Sequence, residues 1–102
     1  MKILALEIEM PHVEPDQFQP FLQSEARQVW DLVQQGVIRE TYFQAAQHLA
    51  VLVLECPDID AARAALQTLP LVQASLIDFN LLPLIPYDGF ARLFTSQSTE
   101  EV

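Results

Sequence analysis

Apolar and polar residues alternate with a period of two at the start of the chain. Lys2–Met10 carries Glu7 and Glu9 on one side of this alternation. The opposite side carries four apolar residues: Leu4, Leu6, Ile8 and Met10. Because side chains of a strand point alternately to its two faces, this pattern predicts a strand whose apolar face is buried and whose two glutamates lie on the other face.

Three more segments have the length and composition of strands. Val37–Phe43 mixes polar and apolar residues on both faces, and Gln44–Gln47 connects it to the next segment as in a hairpin. His48–Glu55 contains an unbroken apolar run, Leu49–Leu54, which is typical of a strand buried on both faces. Leu76–Leu84 is also apolar, and its proline near the end favours an edge or exit position.

Helical spacing of apolar residues separates these strands. The first helix is predicted to open at Pro15-Asp16, to continue to Val33 and to end at Gly36, which suits a C-terminal cap. The second is predicted to begin after Pro57 with Asp58 as its N-cap and to end at Pro70. The apolar stripe of the first helix is interpreted as core: Phe18, Phe21, Leu22, Ala26, Val29, Trp30 and Val33.

The predicted order is therefore strand, helix, strand, strand, helix, strand. With right-handed crossovers, this βαββαβ order gives a four-stranded antiparallel sheet with both helices on one face, the α+β arrangement called the ferredoxin-like fold. We expect one domain over residues 1–94, with a C-terminal arm over residues 83–94 and a disordered tail over residues 95–102.

Two helices cannot cover both faces of that sheet. Because the third and fourth strands are apolar on both faces, we expect a second copy of the chain to cover the other face and form a dimeric α/β barrel. The predicted partner is therefore the protein itself, as a homodimer or as a larger oligomer of dimers. The apolar arm, which carries Ile85, Tyr87 and Phe90, is expected to pack on a neighbouring subunit.

Composition excludes several functions. Fourteen acidic residues against five basic ones give a net charge of −9, and Lys2 is the only lysine, so neither nucleic acid nor an anionic membrane is an expected partner. Cys56 is the only cysteine and is interpreted as a small buried residue, with a nucleophile as the alternative. No segment has the pattern of a signal peptide or of a membrane span, so we expect a cytoplasmic protein.

The chain contains no motif for phosphate binding, for metal binding or for a nucleophilic serine or cysteine. Polar residues on otherwise apolar elements are the remaining candidates. Glu25 and His48 could act as base and proton shuttle, and Arg39 could bind an anion near them. Tyr42 or Tyr87 could donate a hydrogen bond to the substrate. The alternative is that Glu25 is solvated, Arg39 pairs with a carboxylate such as Glu40 or Asp78, and His48 is a hairpin residue.

Two polar residues of the fourth predicted strand leave a further question open. Asp78 and Asn80 share one face of this apolar strand and need hydrogen-bond partners if they are buried. A subunit contact, exposure at the strand end and a site are all compatible with the pattern.

Three segments resemble the muconolactone isomerase family. They are Gly36–Arg39 (GVIR), His48–Pro57 (HLAVLVLECP) and Leu66–Leu71 (LQTLPL). The resemblance covers about Glu25–Leu71, and Val72–Phe94 departs from it. Members of the family have the ferredoxin-like fold and assemble through dimeric barrels into larger rings.

The resemblance implies a reaction as well as a fold. The family enzyme moves a proton within a lactone without a cofactor or a metal ion, which requires a carboxylate or imidazole base and a cation for the substrate carboxylate. It places Glu25, Arg39 and His48 at family-like spacing. The expected function is therefore a cofactor-free isomerase or lyase acting on a small anionic or lactone-type substrate. The alternative is a non-catalytic module for small-molecule binding or for assembly.

Overall fold

The computed structural model describes residues 1–95 of the chain. Four strands and three helices follow one another: β1 (Lys2–Glu9), α1 (Leu22–Gln34), β2 (Ile38–Phe43), β3 (Ala50–Glu55), α2 (Ile59–Leu66), α3 (Pro70–Gln73) and β4 (Ile77–Leu84). Short 3₁₀ turns precede α1 and follow β4. The predicted tail lies outside the described residues except for Thr95.

The four strands form one antiparallel sheet in the order β2-β3-β1-β4. This order places β1 in the centre and β4 at an edge. In the described part of the chain, no strand lies on the outer side of β4, so a proline such as Pro83, which has no backbone N–H, is tolerated there. The helices cover one face, and the core lies between them and the sheet, with Ile3, Leu54 and Leu69 fully buried. The predicted ferredoxin-like α+β fold is confirmed.

Local signals at the helix ends explain most element boundaries. The side chain of Asp58 accepts a hydrogen bond from the Ala61 N–H at 2.8 Å, which confirms the predicted N-cap of α2. Gly36 follows α1 with a φ of +79°, a backbone conformation that glycine adopts without strain. Pro70 does not simply end a helix as predicted, because it occupies the first turn of α3, where its missing N–H has no helical acceptor to lose.

The first helix begins later than predicted. Residues 15–17 and 19–21 form two separate 3₁₀ turns before α1 starts at Leu22. Pro20 explains the break, since a proline inside a continuous helix would lose a hydrogen bond and clash with the preceding turn.

The predicted buried face of β1 is wrong. Ile3 and Ala5 are fully buried, and they share the face that points toward the helices. Because side chains alternate along a strand, Glu7 lies on this same face, and Leu6 lies on the other one. The alternation therefore predicted the strand correctly but assigned the helix side to the wrong set of residues.

The face of the sheet away from the helices is apolar at its centre. The cross-strand pairs of this face bring Leu4 beside Val53 and Leu82, and Leu6 beside Val51. Within residues 1–95 no helix covers these side chains. We call this set the outer apolar face.

Residues 85–94 continue beyond β4 as an arm with exposed apolar side chains. Ile85 is 79% exposed and Phe94 is 86% exposed. The arm nevertheless has defined local structure, because the rings of Tyr87 and Phe90 meet edge to face at 4.8 Å and residues 89–94 form a 3₁₀ turn. In the part of the chain described here, no helix is both long enough and apolar enough to cross a membrane.

Candidate functional site

A cleft of about 580 Å³ lies between α1, α3 and the helix-facing side of the sheet. Its volume falls within the roughly 300–1,000 Å³ typical of small-molecule sites. Most of its lining is apolar: Phe18, Leu22, Ala26, Val29, Phe43, Ala50, Leu52, Leu69, Leu71, Ile77 and Phe79. The polar lining residues are few: Glu7, Glu9, Glu25, Thr41, Tyr42 and His48.

Glu25 projects from the first turn of α1 into the cleft. Its Oε1 accepts a hydrogen bond from the Leu71 N–H at 2.9 Å, so the carboxylate is held against the start of α3. Burial raises the pKa of Glu25, the bond from Leu71 opposes this change and the charge of Glu7 adds to it. A half-buried carboxylate with a raised pKa is a better proton acceptor than a solvated one.

Glu7 is the polar residue that the sequence pattern did not single out. Its Oε1 accepts a hydrogen bond from the Ala50 N–H at 2.8 Å, just beyond the last ladder pair of β1 and β3, Leu6 with Val51. Burial raises the pKa of Glu7, with a smaller contribution from Glu9, while the Ala50 bond lowers it. Glu7 and Glu25 therefore form a pair of interacting carboxyl groups in one cleft.

His48 lies at the mouth of the cleft, in the turn between β2 and β3. Its backbone has a φ of 56°, and its N–H donates to the Gln44 carbonyl oxygen at 2.8 Å. The imidazole stacks on Phe43, with ring centroids 3.9 Å apart. The charge of His48 makes the smallest contribution to the pKa of Glu7, which it lowers, and both residues line the cleft.

The structure does not bring Arg39 to this cleft, so its predicted place beside Glu25 and His48 is wrong. A bulge in β2 interrupts the register at Arg39, and its Nε donates to the Gly36 carbonyl oxygen at 2.6 Å. Arg39 lies near Glu55, whose pKa is lowered mainly by a hydrogen bond from the N-terminal amine and to a smaller extent by Arg39. Within residues 1–95 no ion pair joins Arg39 to a carboxylate, so the alternative of an internal pair with Glu40 or Asp78 is not observed either.

The two tyrosines occupy different places. Tyr42 contributes to the lining, but its hydroxyl donates to Glu40 Oε1 at 2.7 Å on the outer side of the sheet. This bond is the main cause that raises the pKa of Tyr42. Tyr87 does not line the cleft, since it lies on the exposed arm. A role in substrate binding stays a prediction for both residues.

The other polar and nucleophilic candidates lie outside the cleft. Asp78 and Asn80 are on the outer side of β4, and Asp78 Oδ1 accepts from the Phe79 N–H at 2.8 Å. Cys56 is buried, and burial raises the pKa of its thiol, the opposite of what an activated nucleophile requires. Among residues 1–95, no group of three or more His, Cys, Asp and Glu side chains is placed to hold a metal ion.

The raised pKa values predict how stability depends on pH. A carboxyl group whose pKa is raised in the folded state binds more protons there than in the unfolded state, so stability falls as pH rises above the ordinary value of 4.5. Glu7→Gln and Glu25→Gln keep a side-chain oxygen for the backbone N–H but remove the charge. We therefore expect each variant to melt at a higher temperature at pH 7 and to lose less stability between about pH 5 and pH 7.

Thermal melts at both pH values check this prediction. Asp31→Asn is the matched control, because it removes one negative charge from the exposed side of α1. A lower melting temperature for both glutamine variants at pH 7, with an unchanged pH slope, would contradict the account of these two carboxyl groups.

Comparison with solved structures finds the same arrangement of elements elsewhere. The structure of muconolactone isomerase matches with a TM-score of 0.71 over 96% of this chain and 97% of that one, at 18% sequence identity. This chain has a muconolactone isomerase-like fold. The structure of 5-chloro-2-hydroxyhydroquinone dehydrochlorinase from Burkholderia phenoliruptrix AC1100, in complex with 2,5-dihydroxybenzoquinone, matches with a TM-score of 0.64 over 83% of this chain and 94% of that one, at 13% identity.

Sequence comparison adds nothing to this result. No protein-family model matches the chain, and no curated protein sequence matches it. The likeness at 18% identity therefore establishes the fold, whereas the chemistry depends on the residues of the cleft.

Proposed function

We propose that the protein is a cofactor-free isomerase or lyase that moves a proton on a small carbonyl compound of the lactone type. The observation that carries this proposal is the position of Glu25. Its carboxyl group is half-buried, is fixed by the Leu71 N–H and faces a cleft large enough for a single ring. Glu7 and His48 supply two more groups that can give or accept a proton in the same space.

The proposed step transfers one proton between two carbon atoms of the substrate. Glu25 takes a proton from the carbon beside the carbonyl group, and the electron pair of that C–H bond moves toward the carbonyl oxygen. A proton then returns to a different carbon from Glu25 or His48. Alternatively, the electron pair returns from the oxygen to form a carbon–carbon double bond, a leaving group on the neighbouring carbon departs with the electron pair of its own bond, and Glu25 passes the captured proton to that group or to water. The first outcome is an isomerisation and the second is an elimination, and neither oxidises or reduces the substrate.

The structural neighbours are compatible with this reaction class. One is named as an isomerase and the other as a dehydrochlorinase, so both act on small molecules. The apolar walls of the cleft, such as Leu52 and Phe79, would keep water from a carbanion-like intermediate.

Deuterium exchange tests the proposal without knowledge of the natural substrate. An enzyme that removes a proton from carbon introduces deuterium from D₂O even when the overall conversion is unfavourable. A panel of lactones and cyclic enones, followed by proton NMR, is expected to include at least one compound whose exchange the protein accelerates. No acceleration for any member of the panel, or equal acceleration by Glu25→Gln, would reject the assignment of Glu25.

We also propose that the functional form is a homodimer joined through the outer apolar face. Leu4, Leu6 and Val53 are more apolar than a sheet face in water requires, and a second copy would bury them. We also propose that this homodimer is cytoplasmic, as the sequence predicts.

A charge on the outer apolar face is expected to separate the subunits. Leu6→Glu places a carboxylate at the centre of the proposed interface, where it would lose its water without gaining a partner. Light scattering after gel filtration should give the mass of a dimer or larger oligomer for the wild type and the mass of a monomer for the variant. Gln23→Glu, which adds the same charge to an exposed part of α1, should leave the mass unchanged. A folded wild-type monomer at micromolar concentration would contradict the proposal.

An assembly or binding module without catalysis is the second candidate function. The outer apolar face and the exposed arm favour it, because both suit contacts between chains. The two candidates differ in the exchange experiment, since a binding module would take a ligand into the cleft and leave its C–H bonds unchanged.

A further inference from the structure

Among residues 1–95, the charged side chains that line the cleft are carboxylates, and His48 is the one basic residue beside them. Three glutamates line it, Glu7, Glu9 and Glu25. The chain has five basic residues: Lys2, Arg27, Arg39, Arg63 and Arg92. All five belong to the described residues 1–95, and none of them lines the cleft.

We propose that the cleft accepts an uncharged, ring-sized molecule and that its glutamates exclude carboxylates. This inference rests on the proposed function and names the charge class of its substrate. It also replaces the anionic substrate that was expected when Arg39 was placed beside Glu25.

A bound anion would have no basic partner from this chain other than His48. Like charges brought together in a partly dry site are unfavourable, and the walls of the cleft are mostly apolar. The glutamates already show this repulsion, because Glu9 raises the pKa of Glu7 and Glu7 raises the pKa of Glu25. A ligand carboxylate would add a further negative charge to the same group.

An ammonium ion would be attracted by the glutamates but would have to leave water for an apolar space. Burial is the largest cause that raises the pKa of both Glu7 and Glu25, so the cleft disfavours a charge even on its own side chains. Each of these side chains also already uses its Oε1 to bind a backbone N–H. A neutral molecule avoids both costs, and its carbonyl or hydroxyl group can bind the free oxygen of either carboxyl group.

Three ring compounds of nearly equal size test the charge class: benzyl alcohol, benzoate and benzylamine. Backbone amide signals of Ala50 and Leu71 are suitable NMR probes, because these N–H groups bind Glu7 and Glu25. At pH 7 and about 10 mM of each compound, we expect benzyl alcohol to shift both signals and the two charged compounds to leave them unchanged. Stronger binding of benzoate or benzylamine at these amides, or no shift with benzyl alcohol, would overturn the proposal.

Variants of Glu7 and Glu25 test whether these two carboxyl groups exclude benzoate from the cleft. Glu7→Gln and Glu25→Gln should each raise the affinity for benzoate by about fivefold or more, whereas Asp31→Asn should not change it. Equal effects of all three variants would mean that the net charge of the chain, and not the cleft, excludes the anion. Binding is measured separately from catalysis, so a protein that binds benzyl alcohol but exchanges no C–H proton would reject the proposed reaction and keep the charge class.

Discussion

Removal of residues 86–102 is expected to lower the oligomeric order of the protein. In the single chain, Tyr87, Leu93 and Phe94 are each at least 67% exposed, although the arm that carries them has defined local structure. Apolar side chains held in a fixed arrangement without a covering element indicate a contact with another chain. The prediction that the arm packs on a neighbouring subunit is therefore kept as a proposal.

A shorter truncation and a point variant distinguish the contribution of the arm to assembly from that of the last residues of the chain. Removal of residues 96–102 alone should leave the mass in light scattering unchanged, while removal of 86–102 should reduce it. Gly89→Ala keeps every apolar residue of the arm, but its Cβ would collide with the Tyr87 ring and displace it. We expect this variant to weaken association as well. An unchanged mass for the shortened chain, down to low micromolar concentration, would contradict a role of the arm in assembly.

Replacement of Glu25 by glutamine is expected to lower the rate of deuterium exchange by about 10² to 10⁴-fold, the usual contribution of a general base. Glutamine retains the oxygen that binds the Leu71 N–H, so the start of α3 and the walls of the cleft should keep their positions. The loss should therefore fall on kcat, while KM changes little.

His48 is tested by His48→Asn, because asparagine tolerates the positive φ of this position. If His48 returns the proton, this variant should lower kcat and alter the pH profile. A merely structural role in the hairpin would instead change the melting temperature and leave the pH profile as it is. Asp31→Asn serves as the control for both positions, and a similar loss of rate in this control would contradict the assignment.

Much of the fold could be predicted from the alternation and spacing of apolar residues. Asp58 and Gly36 have local roles that depend on a few neighbouring residues, so the sequence alone predicts them. The apolar run Leu49–Leu54 correctly predicted a strand, but within residues 1–95 only its helix-facing residues Leu52 and Leu54 are buried. The break at Pro20 shows the limit, since the apolar spacing continued through a proline that stops the helix.

The site was less predictable, because it depends on which face of each strand meets the helices. The alternation in β1 is equally consistent with both choices. Leu4 and Leu6 have the composition of a core face, but they belong to the outer apolar face. Glu7 was therefore placed on the exposed side, although it lies in the cleft.

Arg39 was misplaced for a different physical reason. A bulge shifts the register of β2 at this residue, and a bulge cannot be recognised from apolar periodicity. The resemblance to muconolactone isomerase correctly indicated the fold and drew attention to Glu25 and His48, both of which line the cleft. It could not determine where the Arg39 side chain points, because that depends on the local hydrogen bond to Gly36.

The stereochemistry of proton exchange distinguishes proton transfer by Glu25 and His48 from catalysis by the buffer. A base fixed on one side of a bound ring removes only one of the two protons of a CH₂ group, whereas buffer catalysis removes both. For a substrate found in the D₂O screen, we expect a single deuterium at one position of the CH₂ group with the wild type and none above background with the Glu25→Gln, His48→Asn double variant. Exchange of both protons, or single exchange that persists in the double variant, would contradict proton transfer by this cleft.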